Sequence, residues 1–254
     1  VTTEAGTQVG VEGGVEGDAG VDAGVDTGAG AKGDAGAEAG TAPARRASRP
    51  RADALRNRER IVTAAREMFV EFGPQVPLDE IARRAGVGNA TLYRNFPERN
   101  DLVHEVVLSV TSRTTDLADE AAAAVDDGSS DAFDALRRFT HGAADERIGA
   151  LCPMLDGTFE RDQPELLAER ERLEAAVQGL VDRAHRSGRL RADVGVGDLL
   201  VAVSQLTRPL PGTACLNMDR FVHRHLQLFL DGLEAPARSV LPGPAATLEG
   251  LRAP

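Results

Sequence analysis

The chain of 254 residues has no Trp, one Tyr and one Lys, and aromatic residues make up only 4% of it. A core built with so few rings relies on Leu, Val, Ala and a handful of Phe, a palette that suits helices. Lysine chemistry has a single candidate, Lys32, in a Gly/Ala-rich context with no obvious partner. Only two cysteines occur, Cys152 and Cys215, far apart and without metal-type spacing, so neither a disulfide framework nor a metal site is expected. No apolar run approaches the ~18–20 residues of a membrane span and no secretory signal is recognisable, so a cytoplasmic location without membrane association is expected. A GTG start codon read literally would account for Val1 in place of Met. Strand-like alternation bounded by turn residues is also missing, which leaves an all-α fold.

The net charge of −11 is unevenly placed. Residues 1–44 carry eight acids and one base, residues 105–254 carry sixteen Arg against twenty-four acids, and residues 45–104 carry twelve Arg against eight acids. The single basic block matters more than the total for contact with a polyanion. Residues 1–44 repeat Gly, Ala and acids around isolated valines, too sparse to offset chain entropy, and read as a disordered acidic head. Three readings are open for it: a solvated tail, an upstream extension from a misassigned start, or an acidic segment that competes with DNA for the basic block.

"RRASRPR" (45–51) reads as a basic arm interrupted by Pro50. Helical periodicity follows, with Ile61, Val62, Ala65, Phe69 and Phe72 on one face up to Gly73-Pro74. Leu78, Ile81, Ala82 and Ala85 mark a second helix that Gly86 stops. After a short turn, "GNATLYRNF" (88–96) places the only tyrosine, Tyr93, among Asn89, Thr91, Arg94 and Asn95, with Leu92 and Phe96 as its apolar members. Helix, Gly-containing turn and short helix form the helix-turn-helix plan, whose second helix packs by one side and enters a DNA major groove by the other. Asn can bond adenine in bidentate fashion, and Ala can touch a thymine methyl. Asn89 and Ala90, at the helix start, are therefore expected to face bases. Thr91, Tyr93 and Asn95 are expected to bond the phosphate backbone, and Arg94 can reach guanine or phosphate.

"LDEIARRAGVGNATLYRNFPERNDLV" (78–103) resembles the DNA-binding signature of the TetR/AcrR family of bacterial one-component regulators. Ile81, Ala82, Ala85, Gly86, Val87, Thr91, Leu92, Tyr93, Phe96 and Leu102 match the family pattern. Asn95 stands where the family often has His, and Arg99 where it has Lys, and both can still donate to phosphate. Pro77 replaces a capping Thr or Ser. It is expected at the first helical position, leaving Val76 as a cap without a side-chain acceptor, a loss of about 1 kcal/mol.

The resemblance implies an all-α chain with an N-terminal three-helix helix-turn-helix domain and a helical ligand-binding and dimerisation domain. The boundaries expected are 1–44 for the head, 45–104 for the DNA-binding domain with its arm, 105–234 for the regulatory domain and 235–254 for a flexible tail. Double-stranded DNA with a palindromic operator, a second copy of the chain and a small-molecule inducer are the implied partners. The role expected is a ligand-responsive homodimeric repressor, not an enzyme, with no cofactor. The last two long helices would pair with their twins through Leu199, Val203, Leu206, Phe221, Leu226 and Phe229, although both stripes suit an intramolecular core as well. Phe133, Leu136, Phe139, Cys152, Met154, Leu155 and Phe159 could line an apolar pocket or serve as ordinary core. Cys152 reads as a small hydrophobe, the common role of a lone cysteine, and no neighbouring residue supports a redox sensor. The five histidines lack a nucleophile at catalytic spacing. His223 and His225, two apart, do not share a helix face as a metal pair would. A helical dimer acting through a protein partner is the competing reading, motivated by Pro77 and the acidic head.

Overall fold

The computed structural model describes residues 48–252 apart from 74, 148, 150–162 and 209–214. Within them run helices α1 (Ser48–Phe72), α2 (Leu78–Ala85), α3 (Asn89–Asn95), α4 (Arg99–Asp126), α5 (Ala132–Asp145), α6 (Pro164–Arg186), α7 (Val196–Leu206), α8 (Cys215–Leu233) and α9 (Leu248–Arg252). No strand occurs among the described residues, only an isolated antiparallel bridge between Leu190 and Glu234. Helix α1 already starts at Ser48, so Pro50 sits in its first turn, where a missing N–H breaks no helical bond. No described helix is long and apolar enough to cross a membrane.

Two apolar cores hold the helices. The first gathers Ile61, Ala65, Met68 and Phe69 of α1, Ile81, Ala82 and Ala85 of α2, Leu92 and Phe96 around α3, and Leu102, Val103, Val106, Val107 and Val110 of α4. Leu166 of α6 completes it. The second gathers Ala118 and Ala121 of α4 with α5, α6, α7 and α8. The first core therefore runs on to Val110 inside α4, beyond the boundary near 104 that the sequence suggests. Helix α4, 28 residues and about 42 Å long, serves both cores. Between them lie three buried threonines, Thr111, Thr114 and Thr115, whose hydroxyls donate to the carbonyls of Val107, Val110 and Thr111 at 2.8–3.0 Å. That pattern satisfies each hydroxyl within the helix. Near the far end of α4, Arg183 of α6 donates to both Asp126 oxygens at 2.9 and 2.7 Å, which holds that carboxyl below the usual carboxylate range.

Phe72 departs from the apolar face expected for α1: it is 59% exposed, while Val76 in the following loop is buried in the first core. The Pro/Gly-rich stretch after 234, expected to fray, is held at several points. Arg191, itself 5% exposed, donates to the Ser239 carbonyl at 2.6 Å, and the Ala246 carbonyl accepts the Gly197 N–H at 3.0 Å. Asp198 accepts the Ala246 N–H at 3.3 Å.

Candidate nucleic-acid interface

Helix α2 is entered from Pro77, which is the N-cap rather than the first helical residue. Its backbone is extended (φ −59°, ψ 137°), and its carbonyl accepts the N–H groups of Glu80 and Ile81. The sequence reading was therefore one residue early, though its consequence stands, because no side chain caps this end. Asp79 and Glu80 in the first turn complement the exposed N–H groups instead.

Gly86 closes α2 in the left-handed region (φ 64°, ψ 38°). Its N–H reaches the Arg83 carbonyl at 3.1 Å and the Val87 N–H reaches Ala82 at 3.0 Å, the paired bonds of a Schellman turn. Arg60 of α1 donates to the Gly86 carbonyl at 3.1 Å, and a Cβ on Gly86 would stand 2.6 Å from that guanidinium. Gly86→Ala should therefore cost about 1–2 kcal/mol through the left-handed backbone alone. It should lower the thermal midpoint by a few degrees and DNA affinity with it. An unchanged midpoint would show that the turn relaxes freely.

Helix α3 follows from Gly88, whose carbonyl accepts the N–H groups of Thr91 and Leu92. Leu92 and Phe96 are buried at 0% and 1% exposure, whereas Asn89, Ala90, Tyr93 and Arg94 are exposed. Positions 89, 90, 93 and 94 share one side of a helix. The outward side thus carries the residues that sequence reasoning expected there. Thr91 and Asn95 are half-buried at its flank.

Two expected phosphate donors are engaged within the protein. Asn95 Nδ2 donates to the Thr91 carbonyl at 2.7 Å, so one of its two amide hydrogens closes its own helix. Arg99 Nη1 donates to the Val76 carbonyl at 2.9 Å and ties the start of α4 to the loop before α2. This tie was not legible in the sequence, and it engages Nη1 alone.

Sequence reasoning missed Arg58 altogether. From α1 it donates to the Asn95 carbonyl at 3.3 Å and to Glu105 of α4 at 2.7 Å, and its guanidinium carbon lies 4.4 Å from the centre of the Phe96 ring. It fixes the C-terminal end of α3 against two neighbours at once. No local pattern marks it, since its partners lie 37 and 47 residues away. The basic block is also less free than its charge suggests. Arg56, Arg58, Arg66, Arg83 and Arg84 each pair with a carboxylate. Arg94, exposed on α3, is not among them.

The remaining candidate residues fall differently. Phe133, Leu136 and Phe139 are buried in the second core at 0–3% exposure. Cys152, Met154, Leu155 and Phe159 lie outside the described residues. A cleft of about 220 Å³ opens between α1, α2 and the end of α5, walled by charged side chains such as Arg66, Glu71, Arg84 and Glu146. Of the six expected interface residues, Leu199, Val203 and Leu226 are buried within the chain, and Leu206 and Phe229 are partly buried against the same core. Phe221 alone stays half-exposed at 50%. It is five residues from Leu226, about 140° around the helix, which is why one stripe could not hold both.

Residues 61–106 match the model of the "Bacterial regulatory proteins, tetR family". Residues 131–235 match that of the "Transcriptional regulator SbtR-like, C-terminal domain". Over 58 residues the chain is 40% identical to an HTH-type transcriptional regulator of Staphylococcus aureus, a match spanning 22% of this chain and 31% of that protein. A TetR transcription regulatory protein from Mycobacterium vanbaalenii is 30% identical, with 73% of this chain and 99% of that one covered and a TM-score of 0.54. The TetR regulator SCO0520 from Streptomyces coelicolor is 28% identical over 71% and 99% of the two chains, with a TM-score of 0.53. These relatives are transcriptional regulators, not enzymes. With both of its helical domains matched and its helix-turn-helix in place, the chain belongs to the TetR family of bacterial DNA-binding transcriptional regulators.

Proposed function

We propose that the protein is a homodimeric repressor that binds a palindromic operator and is released from it by a small molecule. The carrying observation is the division of α3: Leu92 and Phe96 hold it down while Asn89, Ala90, Tyr93 and Arg94 face solvent together. Asn89 and Ala90 read bases, Tyr93 and Thr91 bond phosphate, and Arg94 supplies charge free of the ion pairs that occupy its neighbours. One such helix gives little specificity, and a two-fold dimer would set two of them roughly 34–36 Å apart, one turn of DNA.

The surface suited to the second copy is the exposed side of α7 and α8, where Val201, Phe221 and Leu228 are 40%, 50% and 59% exposed. An inducer acts by preferring a conformation in which the recognition helices no longer match the operator. This part of the reading rests on the family and on the match of residues 131–235 to the C-terminal domain of a transcriptional regulator.

The test is selection of genomic fragments bound by the full chain, followed by fluorescence anisotropy on the recovered sequences at several salt concentrations. Enrichment of a palindrome is expected, with affinity falling steeply as salt rises, each phosphate contact adding about 0.9 to the log–log slope. Equal affinity for random duplex at low salt would sink this reading and favour regulation through a protein partner.

A further inference from the structure

Between residues 145 and 149 the end of α5 touches three other helices in turn. His223 Nε2 of α8 lies 3.0 Å from Asp145 Oδ1. Glu146, the C-cap of α5, pairs with Arg66 of α1. The Gly149 N–H donates at 3.0 Å to Oγ1 of Thr207, the C-cap of α7. A Cβ on Gly149 would stand 2.3 Å from that oxygen and from the Ser204 carbonyl oxygen, so a residue without a side chain lets the backbone lie this close to α7. Between these contacts Arg147 turns the chain at φ 56°, a left-handed value uncommon outside glycine. The corner thereby joins α7 and α8, the helices proposed to meet the second copy, to α1.

Helix α1 carries the connection onward. Eight residues before Arg66, about 12 Å along the helix axis, Arg58 holds the Asn95 carbonyl at the end of α3. Arg60 holds the Gly86 carbonyl at the end of α2, and Arg84 of α2 donates to Glu67 and Glu71, at 3.3 and 2.8 Å. So α1 is bonded to both helices of the helix-turn-helix and, through Arg66, to the corner after α5. Elsewhere α1 and α5 do not pack closely, and the charged cleft opens between them. Helix α4 and the apolar contact of Leu166 also hold the two halves together. A long helix bends, however, and apolar contact has no preferred direction. A charge-assisted bond away from the α4 axis fixes orientation as well as distance. The Arg66 and Glu146 side chains are 24% and 17% exposed, so water and salt screen this bond less than a surface pair.

We infer that Arg66 and Glu146 are positioning residues for DNA binding, whose ion pair sets the angle of α3 to the dimer-facing helices and so the half-site spacing the protein accepts. This rests on the dimeric reading proposed above. Each base pair added between half-sites turns the second by about 34–36° and moves it by about 3.4 Å. A dimer with firmly held readers selects one spacing, whereas loosened readers tolerate several and still recognise the same bases.

Fluorescence anisotropy of the full chain on the selected palindrome, with base pairs inserted or removed at its centre, tests the assignment. The wild type should bind one spacing best. Arg66→Ala and Glu146→Ala should each lower the affinity ratio between that spacing and its neighbours by about 2–10-fold, within the coupling range of residues that share an ion pair. The double variant should lose no more than either single one, and Arg66→Lys, which keeps the charge, should keep the ratio. Base substitutions inside a half-site should cost every variant the same as the wild type. Circular dichroism confirms that each variant is folded. Equal weakening at all spacings, with the ratio unchanged, would mean a merely structural role and overturns the inference while the dimeric reading stands. Additive losses in the double variant, or an Arg66→Lys ratio no better than that of Arg66→Ala, overturn it too. A wild type that selects no palindrome removes the dimeric reading and this inference together.

Discussion

Phe96→Ala is expected to destabilise the protein by about 3–5 kcal/mol, the usual cost of emptying a buried Phe site. The ring is 1% exposed and lies in the first core beneath the Arg58 guanidinium, 4.4 Å from its centre. Cation–π attraction adds about 0.5–1 kcal/mol at a site of this exposure. Arg58 also donates to the Asn95 carbonyl, so an emptied site would free the end of α3 as well as thin the core. DNA affinity should fall further than stability alone explains, because a recognition helix with a loose end loses its register in the groove. Urea unfolding and operator binding, each compared with Phe96→Leu, separate the two effects. A loss below about 1 kcal/mol for the alanine variant would show that the ring is not the anchor its burial implies.

The second large effect lies in specificity. Asn89→Ala is expected to relax preference at one operator position by about 1–3 kcal/mol, up to roughly a hundredfold, the worth of a good bidentate base contact. Tyr93→Phe should instead weaken binding to every sequence by a similar factor, since a phosphate contact carries no base information. Both side chains are exposed in the free protein, so neither change should move the thermal midpoint by more than a degree or two. Affinities across a library of single-base operator variants check the contrast. Uniform loss with Asn89→Ala would move that residue to the backbone, and position-specific loss with Tyr93→Phe would move the tyrosine to the bases.

What could be read from the sequence was what local spacing encodes. The 3.6-residue period separates Leu92 and Phe96 from Asn89, Ala90, Tyr93 and Arg94, and the structure divides them the same way. Gly86 was legible as a stop because few other residues occupy a left-handed turn. The cap at Pro77 was misplaced by one residue, because a proline φ near −60° suits both the cap and the first helical position, and only ψ separates them. Arg58 and the Val76 tie of Arg99 were not legible, since each depends on elements brought together by the fold. The apolar stripes of α7 and α8 were legible as stripes, but periodicity could not say that Leu199, Val203 and Leu226 face their own chain. His141 of α5 and His223 of α8, whose Nδ1 atoms meet at 2.9 Å, lie 82 positions apart, and no spacing rule could have joined them.

Helix α4 carries Val106, Val107 and Val110 into one core and Ala118 and Ala121 into the other, and Leu166 of α6 reaches back into the first. The DNA-reading half is therefore not a detachable module. A fragment ending near residue 104 would lose these valines together with Leu166 and leave an apolar face open to water. The whole molecule should melt in one cooperative transition rather than two. A harmful substitution deep in the regulatory half would then lower promoter occupancy simply by unfolding the reader, with no inducer involved.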